Sequence, residues 1–376
     1  MADSDSSTTG RVTVYSIQGC PHCVQAKATL GRLGVPVCDV DVGRHPELRA
    51  RVKELTGRST VPQIFFNNIH VGGNDDLQRL APEELQRLVT LVKEEPLPSD
   101  APPLPEGNLS EETAGEPDGA AELSLLLRDM ILKLFSEHLS ADGKSVDYKG
   151  MSANPAFERY CELAIQLQRV ELLSLSREEK LAFFINIYNT LVIHGNLRLG
   201  APTNMWQRYR FFNYVSYLIG GEVFTLQDIE NGVLRGNRKG VAQLLRPFSK
   251  TDPRLQVALS DAEPLIHFAL NCGARGCPPI KTYTPQDIDS QLRIAAEAFL
   301  ENDDGCVVDS GKKEVRLSQI FKWYKADFGG TDEKLLSWVL EHMGDSPKKT
   351  SLQGILSAGK TKVSFLPYDW STNSSH

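Results

Sequence analysis

Two cysteines stand three positions apart in the segment "GCPHC", Gly19 to Cys23. Such a pair supports three readings: a redox couple, half of a metal site, or chance. Thiol chemistry runs through the thiolate, and a helix start lowers a cysteine pKa from about 8.5 into the range ~3.5–7.5. Pro21 suits a first helical turn, where its missing N–H would have had no partner. Cys20 would then lie at the positive end of that helix, with Cys23 one turn on and within reach of its sulfur. This suits a dithiol that opens and closes: Cys20 attacks a disulfide and Cys23 resolves the mixed disulfide. A structural zinc site needs a second ligand pair, and no second C-x-x-C occurs among the seven cysteines. The redox reading is therefore preferred, with no metal.

A second set of reactive residue types lies downstream. Asn186, Asn189 and His194 fall in "LAFFINIYNTLVIHG", His267 in "LIHFAL", and Cys272 and Cys277 in the loop "NCGARGCPP", with Arg275 at its tip. Buried polar groups cost about 1–3 kcal/mol when unpaired, so these side chains should form a network around that loop. Three readings stand. Cys272 or Cys277 is a nucleophile with His194 or His267 as base. Alternatively His194, His267, Cys272 and Cys277 bind a metal, at a spacing looser than usual zinc pairs. Or the set holds an irregular loop, with or without a reversible disulfide, around a binding pocket. Arg275 would suit an anionic ligand or stand solvated. Cys38 and Cys161 read as small core residues. Trp323, Tyr324, Phe328, Tyr368 and Trp370 read as core aromatics.

The elements that must position the first pair are legible. "RVTVYSI" alternates and is β-branched, so it reads as a strand ending just before Gly19. A helix follows from Cys23 to Leu33, then a strand in "VPVCDVDV", a helix in "PELRARVKEL" ended by Gly57, a hairpin in "QIFFNN" and "HVGG", and a helix in "DDLQRLAPEELQRLVTLV" with Asp75 or Asp76 as N-cap. The order is β-α-β-α-β-β-α, and the first two strands should be parallel with a right-handed crossover.

From Glu94 to Leu127 there is no Lys or Arg, and prolines sit among acidic and small residues. Such a stretch buries too little apolar surface to order itself, so Glu95 to Gly119 reads as a semi-extended linker. This divides the chain into residues 10–93, a linker over 94–120, and a helix-rich part over 121–373. In the last part, "SREEKLAFFINIYNTLVIHGNL" is helical with Ser176 as N-cap. "PLIHFAL" reads as a buried strand, "YLIGGEVFTLQDIENGVLR" as a hairpin and helix, and "CVVDSGKKEVRLS" as two strands about a turn at Asp309 to Lys312. The fold class is α/β.

Composition narrows the function. The 376 residues suffice for two or three domains. A net charge of −7 argues against general nucleic-acid binding. No apolar run approaches the roughly 20 residues of a membrane helix, and the polar N-terminus has no secretory h-region. A cytoplasmic location is expected, where cysteines are more often catalytic or metal-binding than structural.

"VTVYSIQGCPHCVQAKATL", "STVPQIFFNN" and "VGGNDDLQRL" together resemble the glutaredoxin family over about Arg11 to Val92. The resemblance implies a thioredoxin fold with a mixed four-stranded sheet, and glutathione as cosubstrate. It implies that Thr60, Val61 and Pro62 form a cis-proline loop whose backbone pairs with glutathione, and that Gly72, Gly73, Asn74 and Asp75 hold its γ-glutamyl end. Two positions depart from the family pattern. Ile17 stands where a lysine is common three residues before the first cysteine, with Arg58 as a substitute cation. His22 replaces the usual aromatic residue. The remainder, roughly Met151 to Asn373, resembles the domain-of-unknown-function 547 family through "LAFFINIYNTLVIHG", "LIHFALNCGARGCPPI", "LSQIFKWYKADFG" and "LPYDWSTN". That resemblance implies a domain but does not assign it an activity; the residue patterns make this part a helix-rich α+β domain. The function expected is glutathione-dependent thiol–disulfide exchange on protein or low-molecular-weight disulfides. The alternatives are a redox-linked adaptor that binds glutathione, or a cysteine hydrolase-like C-terminal domain under redox control.

Overall fold

The computed structural model describes residues 10–105, 120–141, 145–281 and 283–375. The chain divides into two compact units. One holds the N-terminal region together with two later excursions, Ile165–Val170 and Tyr214–Phe224; the other holds the rest. The division is thus not a single cut in the sequence.

The first unit begins β1 (Val12–Ser16), α1 (Pro21–Gly31), β2 (Val37–Asp41), α2 (Pro46–Thr56), β3 (Gln63–Phe66) and β4 (Ile69–Gly72). The sheet order is β2-β1-β3-β4. β1 and β2 are parallel, while β1–β3 and β3–β4 are antiparallel, the mixed four-stranded sheet that the resemblance implies. Strand periodicity explains why both faces are covered. Val12 and Val14 pack with Ala26 and Leu30 of α1 on one face. Tyr15 packs with Val40, Leu48 and Val52 on the other. Each such side chain contributes roughly 1.5–3 kcal/mol by burial.

The expected final helix is two helices, α3 (Asn74–Gln78) and α4 (Pro82–Glu94). Pro82 cannot accept an upstream helix and starts a new one. The N-cap of α3 is Gly73 rather than Asp75 or Asp76, and Asp76 accepts the Gly73 N–H at 2.9 Å.

The linker expectation also changes. Part of it is docked: Arg11 Nη2 and Tyr15 Oη donate to the carbonyls of Pro102 and Pro103, and Leu104 joins the Tyr15 core. Residues 106–119 lie outside the described residues. The hairpin β5 (Ser216–Ile219) and β6 (Glu222–Thr225) follows in sequence far later, yet Leu218 packs with Val24 and Ala28 of α1.

The second unit is helix-rich. Its described helices include α5 (Ala120–Glu137), α6 (Tyr148–Ala153), α7 (Pro155–Ala164), α8 (Arg177–Leu199) and α9 (Met205–Tyr214). α8 starts with Ser176 and Glu179 in a reciprocal capping box. It is buried on all sides from Leu181 to Asn196, as a helix without a polar face must be. α10 (Ile288–Glu301) leads to β7 (Cys306–Asp309) and β8 (Glu314–Leu317), then α11 (Gln319–Trp323), α12 (Asp332–His342), α13 (Pro347–Ala358) and β9 (Lys362–Phe365). β9 pairs in parallel with β8 and completes a three-stranded sheet.

"PLIHFAL" is a 3₁₀ helix over Pro264–Phe268 rather than a strand. Pro264 presets the first turn, and the Glu263 carboxylate accepts the Leu265 N–H. A short apolar run does not by itself distinguish strand from buried helix. The segment after β6 forms a π-helix over Asp228–Leu234.

Candidate active site

β1 ends at Ser16, and Gly19, with φ +78°, turns the chain toward α1. Cys20 is the extended N-cap of α1 and Pro21 its first residue. Cys20 is half-buried and Cys23 fully buried, and both are free thiols. The Cys23 thiol donates to Cys20 Sγ, and the N–H groups of Cys23 and His22 add to it. Against burial, these bonds draw the Cys20 pKa down to about 6. The same bond, together with burial, pushes the Cys23 thiol well above its ordinary value. The pair is therefore polarised: an accessible thiolate on Cys20 and a protonated thiol beneath it. His22 is exposed.

The sign of this shift gives a test. Cys20 becomes thiolate as pH rises through about 6, so its alkylation rate by iodoacetamide should be half-maximal there. Cys23→Ala removes the leading hydrogen bond and should move that midpoint up toward the ordinary thiol range, about 8.5. An unmoved midpoint would assign the shift to the helix start alone.

The cis-proline loop and the start of α3 adjoin one another, and α3 is tied to α1, the helix that Cys20 caps. Val61–Pro62 is a cis peptide. A Cβ built on Gly73 would lie 3.5 Å from the Pro62 carbonyl, so the cis-proline loop and the start of α3 are neighbours. Asn74 Nδ2 donates to Gln25 Oε1 of α1 at 3.1 Å, which ties α3 to the cysteine helix. Thr60 and Asp75 are exposed, Val61 and Gly73 half-buried, Pro62 and Asn74 buried. Gly72 is held at φ +120°, and a Cβ there would fall 2.2 Å from Asp76 Oδ2. Gly72→Ala should destabilise this unit by about 1–3 kcal/mol, measured as a lowered melting temperature of the full chain.

Ile17 supplies no charge, and Arg58 is paired with Asp76 at 2.6 Å. A further cation, not singled out from the sequence, acts on the buried cysteine of the pair. Lys27 lies one turn beyond Cys23, bound to Asp39 at 2.7 Å with only 11 % of its side chain exposed. Its charge works against the rise in the Cys23 pKa. A cysteine-plus-four lysine on the same helix face was the available signal.

In the second unit the candidate residues are dispersed. Asn186 donates to the Tyr283 carbonyl at 2.9 Å. Asn189 donates to the Ala269 carbonyl and accepts the Asn271 N–H. These asparagines hold backbone. His194 contacts Cys161 Sγ at 3.8 Å and lies edge-on to Phe157 and Tyr160. Burial holds it neutral, with its pKa down to about 3. His267 bonds Asp327 at 2.9 Å. Cys272 and Cys277 are joined as a disulfide, so neither presents a free thiol to a histidine base or a metal. Arg275 is exposed. Among the described residues no group of three or more His, Cys, Asp or Glu side chains is placed to hold a metal ion.

The structure adds Tyr324 and Tyr368, expected as core aromatics, and Glu230 and Asp327, which the sequence patterns do not single out. A cavity of about 320 Å³ is lined by Glu230, His267, Cys272, Cys277, Tyr324 and Tyr368, among others. Bonded to the lining His267, the side chain of Asp327 is fully enclosed. It accepts from both Arg235 Nε and Nη2 at 2.6 and 2.9 Å, and from Arg238. Burial would raise the Asp327 pKa, but the bonds from His267 and Arg235 outweigh it and hold the carboxyl well below its usual range. Tyr324 stacks on His267 at 4.0 Å and donates to Glu230 at 2.7 Å. The signal was charge inside aromatic segments: Asp327 in "FKWYKADFG" and Glu230 in "DIENGVLRGN".

A parallel-and-antiparallel four-stranded sheet with a C-P-x-C pair at a helix start defines a thiol–disulfide oxidoreductase domain of the thioredoxin fold. The glutaredoxin family model matches residues 12–71, and a model described as a protein of unknown function, DUF547, matches residues 172–300. The chain is 39% identical over 87 residues to "Glutaredoxin 1" of Rickettsia typhi, spanning 23% of this chain and 82% of that protein. It is 44% identical over 69 residues to "Glutaredoxin" of Pseudomonas aeruginosa, spanning 18% of this chain and 82% of that protein. A solution structure of glutaredoxin from Brucella melitensis is 43% identical, covers 23% of this chain and 94% of its own, and has a TM-score of 0.21. Through its N-terminal region the chain belongs to the glutaredoxin family. Among the described residues no helix is long and apolar enough to cross a membrane.

Proposed function

We propose that the protein is a glutathione-dependent thiol–disulfide oxidoreductase of the cytoplasm, with residues 10–93 as the reacting domain and residues 121–373 as a second domain. The observation that carries this reading is the polarised pair, an accessible Cys20 with its pKa near 6 above a buried, protonated Cys23. The Cys20 thiolate attacks a disulfide formed between glutathione and a substrate thiol. The glutathionyl sulfur bonds to Cys20, and the substrate leaves as a thiolate. A second glutathione thiolate then attacks the glutathionyl sulfur, frees Cys20 and yields glutathione disulfide. For protein disulfides Cys23 attacks Cys20 instead, and two glutathiones later reduce the Cys20–Cys23 bridge.

The residues present fit glutathione. In this reading Thr60, Val61 and Pro62 offer their backbone to the glutathione bound at Cys20, and Gly73, which stands next to the Pro62 carbonyl, belongs to the same site. Asn74 and Asp75 stand at the start of α3, where N–H groups favour a carboxylate. Partners are glutathione and protein or small disulfides. Nucleic acid and membrane are not among them. The test is glutathione-coupled reduction of a glutathione–small-thiol mixed disulfide by the full chain, followed through formation of glutathione disulfide. Turnover that rises with glutathione concentration is expected. Binding of glutathione without turnover would transfer the N-terminal domain to an adaptor role.

A further inference from the structure

A second sulfur centre sits in the cavity of the second unit. Cys272 and Cys277 are bridged, both are half-buried, and both line the cavity wall. Their surroundings are unequal. The Cys272 N–H donates to Cys277 Sγ at 3.1 Å. The Tyr368 hydroxyl lies 3.2 Å from Cys277 Sγ and 3.8 Å from Cys272 Sγ. Burial keeps that phenol protonated, so it is a donor. Two donors thus converge on one sulfur of the bridge. In thiol–disulfide exchange the sulfur better able to carry negative charge is the one that leaves.

A cation stands in the same wall. Arg208 lines the cavity, stacked on Trp370 at 4.5 Å, with Nη2 donating to the Trp370 carbonyl. Its Nη1 is buried without a hydrogen-bond partner. An unpaired guanidinium N–H in a cavity suits a carboxylate.

We propose that Cys272–Cys277 is an exchangeable disulfide, opened by a small carboxylate-bearing thiol of the glutathione class. The incoming thiolate bonds to Cys272 Sγ, the Cys272–Cys277 bond breaks, and the electron pair leaves on Cys277 Sγ, where the Cys272 N–H and Tyr368 O–H receive it. Cys277 takes a proton from solvent or attacks back to restore the bridge. A second thiol removes the adduct from Cys272 as a mixed disulfide, which leaves both cysteines reduced.

Opening has a structural consequence. The bridged loop holds the chain terminus through Arg275 N–H to the Ser371 carbonyl, Gly276 N–H to the Asp369 carbonyl and Asn373 N–H to the Gly273 carbonyl, at 2.9 to 3.2 Å. That terminal segment carries Tyr368 and Trp370, two walls of the cavity. The bridge therefore sets whether those walls are fixed, and the cavity becomes responsive to thiol status.

The proposal is independent of the N-terminal dithiol, so its test uses the full chain carrying Cys20→Ser and Cys23→Ser. The protein is equilibrated across glutathione–glutathione disulfide buffers of increasing reducing strength, quenched with an alkylating reagent, and mapped by peptide mass. The expected result is a bridge that passes from closed to open across the series, with glutathione trapped on Cys272 and the alkyl group on Cys277. Tyr368→Phe should slow opening about tenfold, the rate equivalent of one hydrogen bond to a charged group. A pair that stays bridged throughout, a pair that never bridges, or glutathione trapped on Cys277 would each overturn the proposal.

Discussion

Cys20→Ser is expected to abolish glutathione-dependent turnover, on the order of a thousandfold or more, as removal of a covalent nucleophile does elsewhere. A serine hydroxyl has no anionic form near neutral pH, and no other free thiol of the domain shares the position. Cys38 is half-buried on β2 and away from the helix start. Cys23→Ser should behave differently. Its hydroxyl still donates to Cys20, so the thiolate persists, and glutathione itself completes the cycle on small mixed disulfides. Activity on these substrates should stay within roughly tenfold, while reduction of protein disulfides that need a resolving thiol should fall much further. Steady-state rates on both substrate types for the two variants check this. Equal losses in both variants would remove the division of labour between the cysteines.

The second large effect lies in the other unit. Asp327→Ala should destabilise it by about 3–5 kcal/mol, because the substitution strands the buried Arg235 charge. Arg235 is only 5 % exposed, and its Nε and Nη2 both end on Asp327, while Nη1 donates to Asn231 and to the Lys239 carbonyl. All four tryptophans, at 206, 323, 338 and 370, belong to this unit, so intrinsic tryptophan fluorescence during urea unfolding reports on it specifically. The pH dependence follows from the depressed Asp327 pKa. A carboxyl with a lowered folded-state pKa stabilises above its unfolded value, about 4, and loses that contribution as pH falls toward the folded value. The gap between wild type and Asp327→Ala should therefore be widest above pH ~4 and narrow below it. A second substitution, Arg235→Met, placed on the Asp327→Ala background should recover part of the loss. No recovery would show that the buried charge is not what destabilises the single variant.

The N-terminal site was largely legible because its chemistry is local. Cys20, Pro21 and Cys23 lie within one helical turn, and the turn at Gly19 precedes them, so spacing alone orders the pair. The split at Pro82 and the capping by Gly73 were misjudged because Asp75 and Asp76 are both good caps by type, and only the fold shows that Asp76 reaches backward to the Gly73 N–H. The docked stretch before residue 106 was read as linker for a related reason. Its composition is poor in apolar side chains, yet the carbonyls of Pro102 and Pro103 are satisfied by Arg11 and Tyr15, 91 and 88 residues upstream.

The second unit was less legible because its organisation is long-range. His267 and Asp327 are 60 positions apart, and Cys277 and Tyr368 are 91 apart. In the sequence, His194 and His267 are alike as polar residues in apolar segments, with Cys272 and Cys277 in the glycine-containing loop just beyond His267. The fold separates them: His194 faces Cys161 on α7, while His267 faces the cavity. Asn186 and Asn189 serve backbone groups of loops that no local pattern could have identified. Periodicity finds faces of elements, and here the chemistry depends on which faces meet.

The most direct test of the account is to trap the covalent intermediate. Full-length Cys23→Ser is mixed with a glutathione mixed disulfide at pH 7 without added glutathione, quenched in acid, and mapped by peptide mass. The account predicts one glutathione on Cys20, formed at a rate that follows the thiolate fraction of a group titrating near pH 6. A chain in which Cys20 stays unmodified, while the substrate disulfide remains intact, would contradict it.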